Sequence, residues 1–172
     1  MLQWLGCGIL VIAGSGLGFY YSRQWTRRLE LLKGLYQMMN LLKGEISFGG
    51  LTLPDAFLRI SKRISSPLSE FVVSLGRKLK SRPGEPFAVL FSSEIRKILS
   101  RTSLAKEDLE QLEDLGRHLG YLDRQTQLRT LDLYTHNLDT MIQELRQELP
   151  GRKKMYQSLG IMGGLFLAVL LL

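Results

Sequence analysis

The residues able to do chemistry are few and scattered. Histidine occurs only at positions 118 and 136, and cysteine only at Cys7. A metal centre needs three or four ligands converging at short, fixed spacings. His118 and His136 instead fall in two different helical patterns, without ligand-spaced companions, and read as ordinary surface or core histidines. Serines and carboxylates are spread along the chain without a nucleophile–base arrangement. Gly14-Ser15-Gly16-Leu17-Gly18 has the glycines of a phosphate loop. It lacks the lysine and follows no strand, so the match is spurious. The absence of that lysine excludes self-powered ATP hydrolysis of the usual kind. Cys7 lies in an apolar run, where a lone thiol packs as a small hydrophobe. The sequence thus predicts no enzyme, no cofactor and no metal.

What the chain offers instead is a pattern of grease and charge. Met1 to Tyr21 and Ser158 to Leu172 contain no Asp, Glu, Lys or Arg, and the rest of the chain is rich in them. A basic triplet flanks each stretch on its inner side: Arg23, Arg27 and Arg28 after the first, Arg152, Lys153 and Lys154 before the second. Loops rich in Lys and Arg stay in the cytoplasm. The pattern predicts transmembrane helices at 1–21 and 158–172, with a cytoplasmic domain at 22–157 between them. A secretory signal is the lesser reading of the first stretch, because such signals carry their charge before the apolar run. The second stretch is short: fifteen residues rise roughly 22 Å, against a hydrocarbon core of about 30 Å. Including Met155 to Gln157 lengthens it, and Lys153 and Lys154 can snorkel.

Formal net charge is +7, from 23 basic and 16 acidic side chains. The two triplets hold six of the basic ones, so the high pI is mainly a topology signal and no nucleic-acid partner is expected. Six cations beside an anionic leaflet each contribute ~1 kcal/mol of attraction. Inside the domain, bases outnumber acids from Arg59 to Lys106, and the balance reverses from Glu107 to Glu148. Solvated faces, or two blocks packing together, are the plain explanation. An exposed basic face would fit lipid or another polyanion.

Between the ends, apolar residues recur at spacings of three and four, and no stretch alternates with period two. Leu29, Leu32, Tyr36, Met39, Leu42 and Ile46 extend one continuous helix from the first apolar run to about Phe48, where Gly49-Gly50 stops it. Thr52-Leu53-Pro54-Asp55 opens a second helix with a hydroxyl cap, an early proline and a carboxylate. Ser66-Pro67 opens a third, and Arg82-Pro83-Gly84-Glu85-Pro86 is a loop. Further stripes follow Phe87 and Leu109, the latter closed by Gly120. The last begins near Leu122-Asp123 and is interrupted by Pro150-Gly151, where a proline is expected to kink or break the helix and act as a hinge. The fold class is all-α: a cytoplasmic bundle of about six helices flanked by two membrane helices.

Gly14 and Gly18 are four residues apart, as are Gly160 and Gly164. Such pairs let helices approach closely within lipid. They fit packing of the chain's own two membrane helices or contact with other membrane subunits.

Three groups of residues resemble the stage III sporulation protein AB family: Glu45-Ile46-Ser47-Phe48-Gly49 with Leu53, Asp55-Ala56 and Arg59-Ile60-Ser61; Leu119-Gly120 with Asp123-Arg124 and Gln127; and Ser158-Leu159-Gly160 with its aliphatic tail. The resemblance covers nearly the whole chain, and Pro150-Gly151 departs from the family's long last helix. It implies a subunit of the channel complex between mother cell and forespore, similar to the platform proteins of type II secretion and pilus machines. It further implies docking of a secretion-type ATPase of the same complex, contact with other channel subunits and membrane lipid, and a place in the mother-cell membrane around the forespore. A homo-oligomer is left open. Glu45, Asp123, Arg124 and Gln127 are the expected partner interface. Glu45, near a helix C-terminus, opposes the helix dipole and calls for a cation. The competing expectation is a lipid- or polyanion-binding adaptor using the basic 59–106 block.

Overall fold

The structure is a computed structural model that describes residues 2–120 and 123–170. It contains six α-helices: α1 (Leu2–Ser47), α2 (Leu53–Ile60), α3 (Leu68–Ser81), α4 (Phe87–Ile98), α5 (Lys106–Leu119) and α6 (Arg124–Leu170). Short 3-10 turns follow α2 and α4, and no strand occurs among the described residues. The helices divide into two compact units, Glu30–Ile142 and a second made of Met1–Leu29 with Gln143–Leu172.

In the Glu30–Ile142 unit, α2 packs on α3, α3 on α4, and α4 on α5. Helix α1 contributes Leu32, Leu35, Met38, Met39, Leu42 and Ile46, all buried. The stripe is broader than Leu32–Tyr36–Met39–Leu42–Ile46: Leu35 and Met38 go inside while Tyr36 stays half-buried. A stripe this wide is what a helix acquires when neighbours cover it from two directions. The centre is aromatic. Phe57 lies against Phe87 at 6.3 Å between ring centroids, Phe87 against Phe91 at 5.3 Å, and Phe71 meets Phe91 edge-on at 5.4 Å. Each fully buried side chain of this size contributes roughly 1.5–3 kcal/mol.

Two local devices set the helix spacing. A Cβ added at Gly116 would lie 2.3 Å from Phe91 Cδ1, so α5 approaches α4 closely only because glycine stands there. Gly50 adopts φ +59, the left-handed conformation that terminates α1 without side-chain strain. At the start of α2, Thr52 is the N-cap and Pro54 lies in the first turn. The Thr52 hydroxyl does not cap the backbone; it bonds the Asp55 carboxylate at 2.8 Å.

Charged side chains tie neighbouring helices together. Asp55 meets Lys80 at 2.6 Å and Arg96 meets Glu113 at 3.2 Å. Lys80 and Thr52 hold the Asp55 carboxyl below its ordinary range. Lys78 pairs with Glu94, whose side chain is sealed from solvent between α3 and α4. Burial works to raise the Glu94 pKa; the Lys78 ammonium and Ser74 hydroxyl outweigh it and hold the carboxyl below its usual value. Tyr134 of α6 is buried, and burial together with the nearby Asp108 carboxylate pushes its phenol well above the ordinary range.

In the other unit, the Trp25 ring has Arg152 above it at 4.4 Å and Arg28 at 5.7 Å. Arg152 also grips Glu148 Oε2 through Nε at 2.8 Å and through a second guanidinium nitrogen at 2.7 Å. This corrects the expected hinge. Helix α6 continues through Pro150 and Gly151. The proline removes one backbone bond, while the Glu148–Arg152 bridge spans the same turn and Trp25 holds the guanidinium.

The expected transmembrane helices at 1–21 and 158–172 are not seen as such. Among the described residues no helix is long and apolar enough to cross a membrane. The described parts of the apolar stretches, 2–21 and 158–170, belong to α1 and α6 and are not separate flanking helices. The surroundings of Gly14, Gly18, Gly160 and Gly164 lie outside the described residues. Met155, Leu159, Met162 and Phe166 are exposed large hydrophobic residues. Their four-three-four spacing puts them on one face of α6.

Candidate functional site

Three sequence segments that are far apart in the chain meet where α1 ends. Glu45 lies in the last turns of α1, half-buried at 13% exposure, with Arg59 of α2 at 3.4 Å from its Oε2. Arg59 is the counter-ion that a carboxylate near a helix C-terminus calls for. The Phe48 amide makes the last bond of this helix, to the Gly44 carbonyl at 2.9 Å. Gly49 then sits against the Glu45 carbonyl oxygen, which an added Cβ would approach to 2.6 Å.

The start of α6 is fastened to the same place. Asp123 is its N-cap: Oδ1 accepts the Gln125 amide at 2.9 Å and the Thr126 amide at 3.1 Å, and Oδ2 accepts the Thr126 hydroxyl at 2.6 Å. The Thr126 hydroxyl first, then the backbone amides, hold the Asp123 carboxyl below its usual range. Arg124 donates to the Ser47 carbonyl oxygen and so covers an open C-terminal acceptor of α1. Gln127 donates to the Leu119 carbonyl oxygen at 3.1 Å, doing the same for α5. Farther along, Lys43 meets Asp132 at 2.5 Å.

The four expected interface residues therefore share one end of the bundle. Glu45 and Arg124 flank the last turn of α1, while Asp123 and Gln127 set the start of α6 against the end of α5. Each has a structural partner within the chain. A neighbouring residue, Phe48, is 94% exposed. Sequence reasoning did not single it out as a site residue, although a signal was present. It falls two positions beyond Ile46, off the buried stripe, and directly before the stop at Gly49-Gly50. Beside it is a cleft of about 420 Å³ lined by Leu41, Glu45, Phe48, Arg59 and Arg63, among others.

The remaining candidate groups lie elsewhere. Arg23, Arg27 and Arg28 are on α1, and Arg152, Lys153 and Lys154 on α6. Arg152 is engaged with Glu148 and Trp25, as above. In the basic 59–106 block, Arg59, Lys78, Lys80, Arg82, Arg96 and Lys106 each have a carboxylate partner. The block is thus spent in large part on internal pairs. His118 of α5 contacts the Asp114 carbonyl at 2.9 Å through Nδ1. His136 is on α6. Among the described residues no group of three or more His, Cys, Asp or Glu is placed to hold a metal ion. A larger groove of about 600 Å³ runs between α5 and α6, with Leu115, Leu133 and Tyr134 among apolar linings and Glu110 and Asp114 among acidic ones.

A family model described as stage III sporulation protein AB matches residues 3–172. The stage III sporulation protein AB of Bacillus subtilis (strain 168) is 27% identical over 172 residues, 100% of both chains. A solved structure of a stage III sporulation protein AB has a similar fold, with a TM-score of 0.65 and 23% identity, covering 72% of this chain and 96% of that one.

Proposed function

This chain belongs to the stage III sporulation protein AB family and has a role in sporulation; on that premise we propose that it is a non-enzymatic membrane platform of the mother cell–forespore channel complex, docking a cytoplasmic secretion-type ATPase. The observation that carries the proposal is the convergence of Glu45, Asp123, Arg124 and Gln127 on one end of the helical bundle, beside an almost fully exposed aromatic side chain. Rigid, backbone-tied helix ends suit protein–protein docking, because little ordering free energy is lost when a partner arrives.

Membrane attachment is part of the same proposal. The terminal stretches of α1 and α6 embed in the mother-cell membrane around the forespore, and the Glu30–Ile142 unit faces the cytoplasm. The exposed stripe Met155, Leu159, Met162 and Phe166 supports this, since apolar side chains at helical spacing are stabilised by lipid or by another membrane subunit. Lys153 and Lys154 immediately precede the stripe, where cations meet anionic headgroups.

Photo-crosslinking in sporulating cells tests the docking. A crosslinker replaces the exposed Gln125 in the full chain. An adduct with the ATPase is expected. A correctly folded, membrane-associated chain that never yields this adduct, from Gln125 or from the exposed Thr52, would overturn the proposal.

A further inference from the structure

Resting on the docking function proposed above, we infer that Phe48 is the anchor of that interface, and that the ATPase receives it in an apolar pocket bordered by carboxylates. Phe48 is 94% exposed, whereas the other phenylalanines of the Glu30–Ile142 unit are buried. A free phenyl ring on a flexible tip would signify little. This one is held on a fixed backbone. Its amide bonds the Gly44 carbonyl at 2.9 Å, Gly49 packs on the Glu45 carbonyl, and Gly50 turns the chain away at φ +59. Arg124 secures the preceding residue by bonding the Ser47 carbonyl oxygen. Aromatic side chains presented in this way lose little freedom on binding and dominate interface energetics.

The surroundings specify the partner's charge. The adjoining cleft carries Arg59 and Arg63 at its rim and Leu41 among its apolar linings. Its one carboxylate, Glu45, is already engaged by Arg59 at 3.4 Å. Arg63 is exposed and has no carboxylate at ion-pair distance among the described residues; Lys62 beside it is exposed too. An incoming surface that seats the Phe48 ring therefore meets uncompensated positive charge. Carboxylates around an apolar pocket match it; a cationic surface would be repelled.

The test measures binding of the purified ATPase to the full chain in detergent micelles, across a salt series. Phe48→Ala is expected to weaken binding at least about tenfold, with an unchanged melting temperature because the ring is outside the core. Arg63→Glu is expected to weaken binding and flatten its salt dependence. Wild-type affinity in Phe48→Ala, with the wild-type chain binding, overturns the anchor and leaves the docking function standing. Unchanged affinity and salt dependence in Arg63→Glu overturn the acidic border. Absence of binding by the wild-type chain overturns the docking function itself. A crosslink from position 48 to a second copy of this chain overturns the choice of the ATPase as occupant.

Discussion

Lys78 Nζ sits against Oε1 of Glu94, a carboxylate with no solvent-exposed surface, at the contact of α3 and α4. No well-aligned hydrogen bond reaches the two carboxylate oxygens. The ammonium charge, with the Ser74 hydroxyl nearby, is what keeps Glu94 ionised inside the bundle. A buried pair of this kind is weak as a source of stability but severe when broken.

Lys78→Met is therefore expected to destabilise the fold by about 3 kcal/mol at neutral pH. The pH dependence should change sign. In the native chain the Glu94 pKa is depressed below its ordinary 4.5, so its contribution is present above 4.5 and is lost as pH falls through the folded value. In Lys78→Met, burial, the largest influence, is opposed only by the Ser74 hydroxyl and the Lys97 charge; the folded pKa is expected to rise, so the deficit relative to the native chain grows as pH rises above 4.5. Thermal melts of both chains between pH 4 and 7 check this. Replacing both partners by apolar residues should recover most of the loss.

Gly116→Ala sets helix propensity against packing. Alanine in mid-helix gains about 1 kcal/mol over glycine. Its Cβ would stand 2.3 Å from the Phe91 ring, which is itself buried against Phe71 and Phe87. Overpacking of this kind costs about 1–3 kcal/mol, so net destabilisation is expected. Gly151→Ala is the contrast. Nothing lies within 4 Å of its added Cβ, and it is inside α6. Denaturant midpoints should move in opposite directions.

Asp123→Ala removes the cap of α6. Amide hydrogen exchange at Gln125 and Thr126 should quicken, and Asp123→Asn should largely restore protection, since an amide oxygen still accepts both bonds. The Asp123 pKa is lowered by the Thr126 hydroxyl and then the backbone amides. Its stabilisation is thus present above 3.8 and disappears as pH falls through the lower folded value. The Asn variant should lack that acid-side loss.

The Trp25–Arg152 contact should give a coupling of about 1 kcal/mol in a double-mutant cycle of Trp25→Ala and Arg152→Ala. Exchange around Pro150 should rise in both single variants. Unchanged exchange there would mean that α6 holds its course without this contact.

Much of the architecture was readable in the chain because local signals agreed. Apolar residues three and four apart marked each helix, and Gly49-Gly50, Ser66-Pro67, the 82–86 loop and Gly120 separated them. Pro150 shows where local signals fail. A proline reports one absent hydrogen bond, but the outcome depended on Glu148 and Arg152 across the turn and on Trp25 of α1. The ends of the bundle were only half legible. Asp123 marked the helix start in the chain, and the structure makes it the cap. That Arg124 would reach the Ser47 carbonyl, 77 residues away, has no sequence signature. Phe48 carried a signal in being off the buried stripe, but its exposure depends on how α1, α2 and α6 meet.

Tyr134 sets an alkaline boundary. Its folded pKa is raised by burial and then by Asp108, so its share of stability is intact below the ordinary value of 10.0 and is lost as pH climbs past it. The phenolate can form readily only once α6 has lifted from its neighbours. The ultraviolet band of that ion, taken as the difference between the native chain and Tyr134→Phe, is thus an unlabelled optical clock for the opening of this helix.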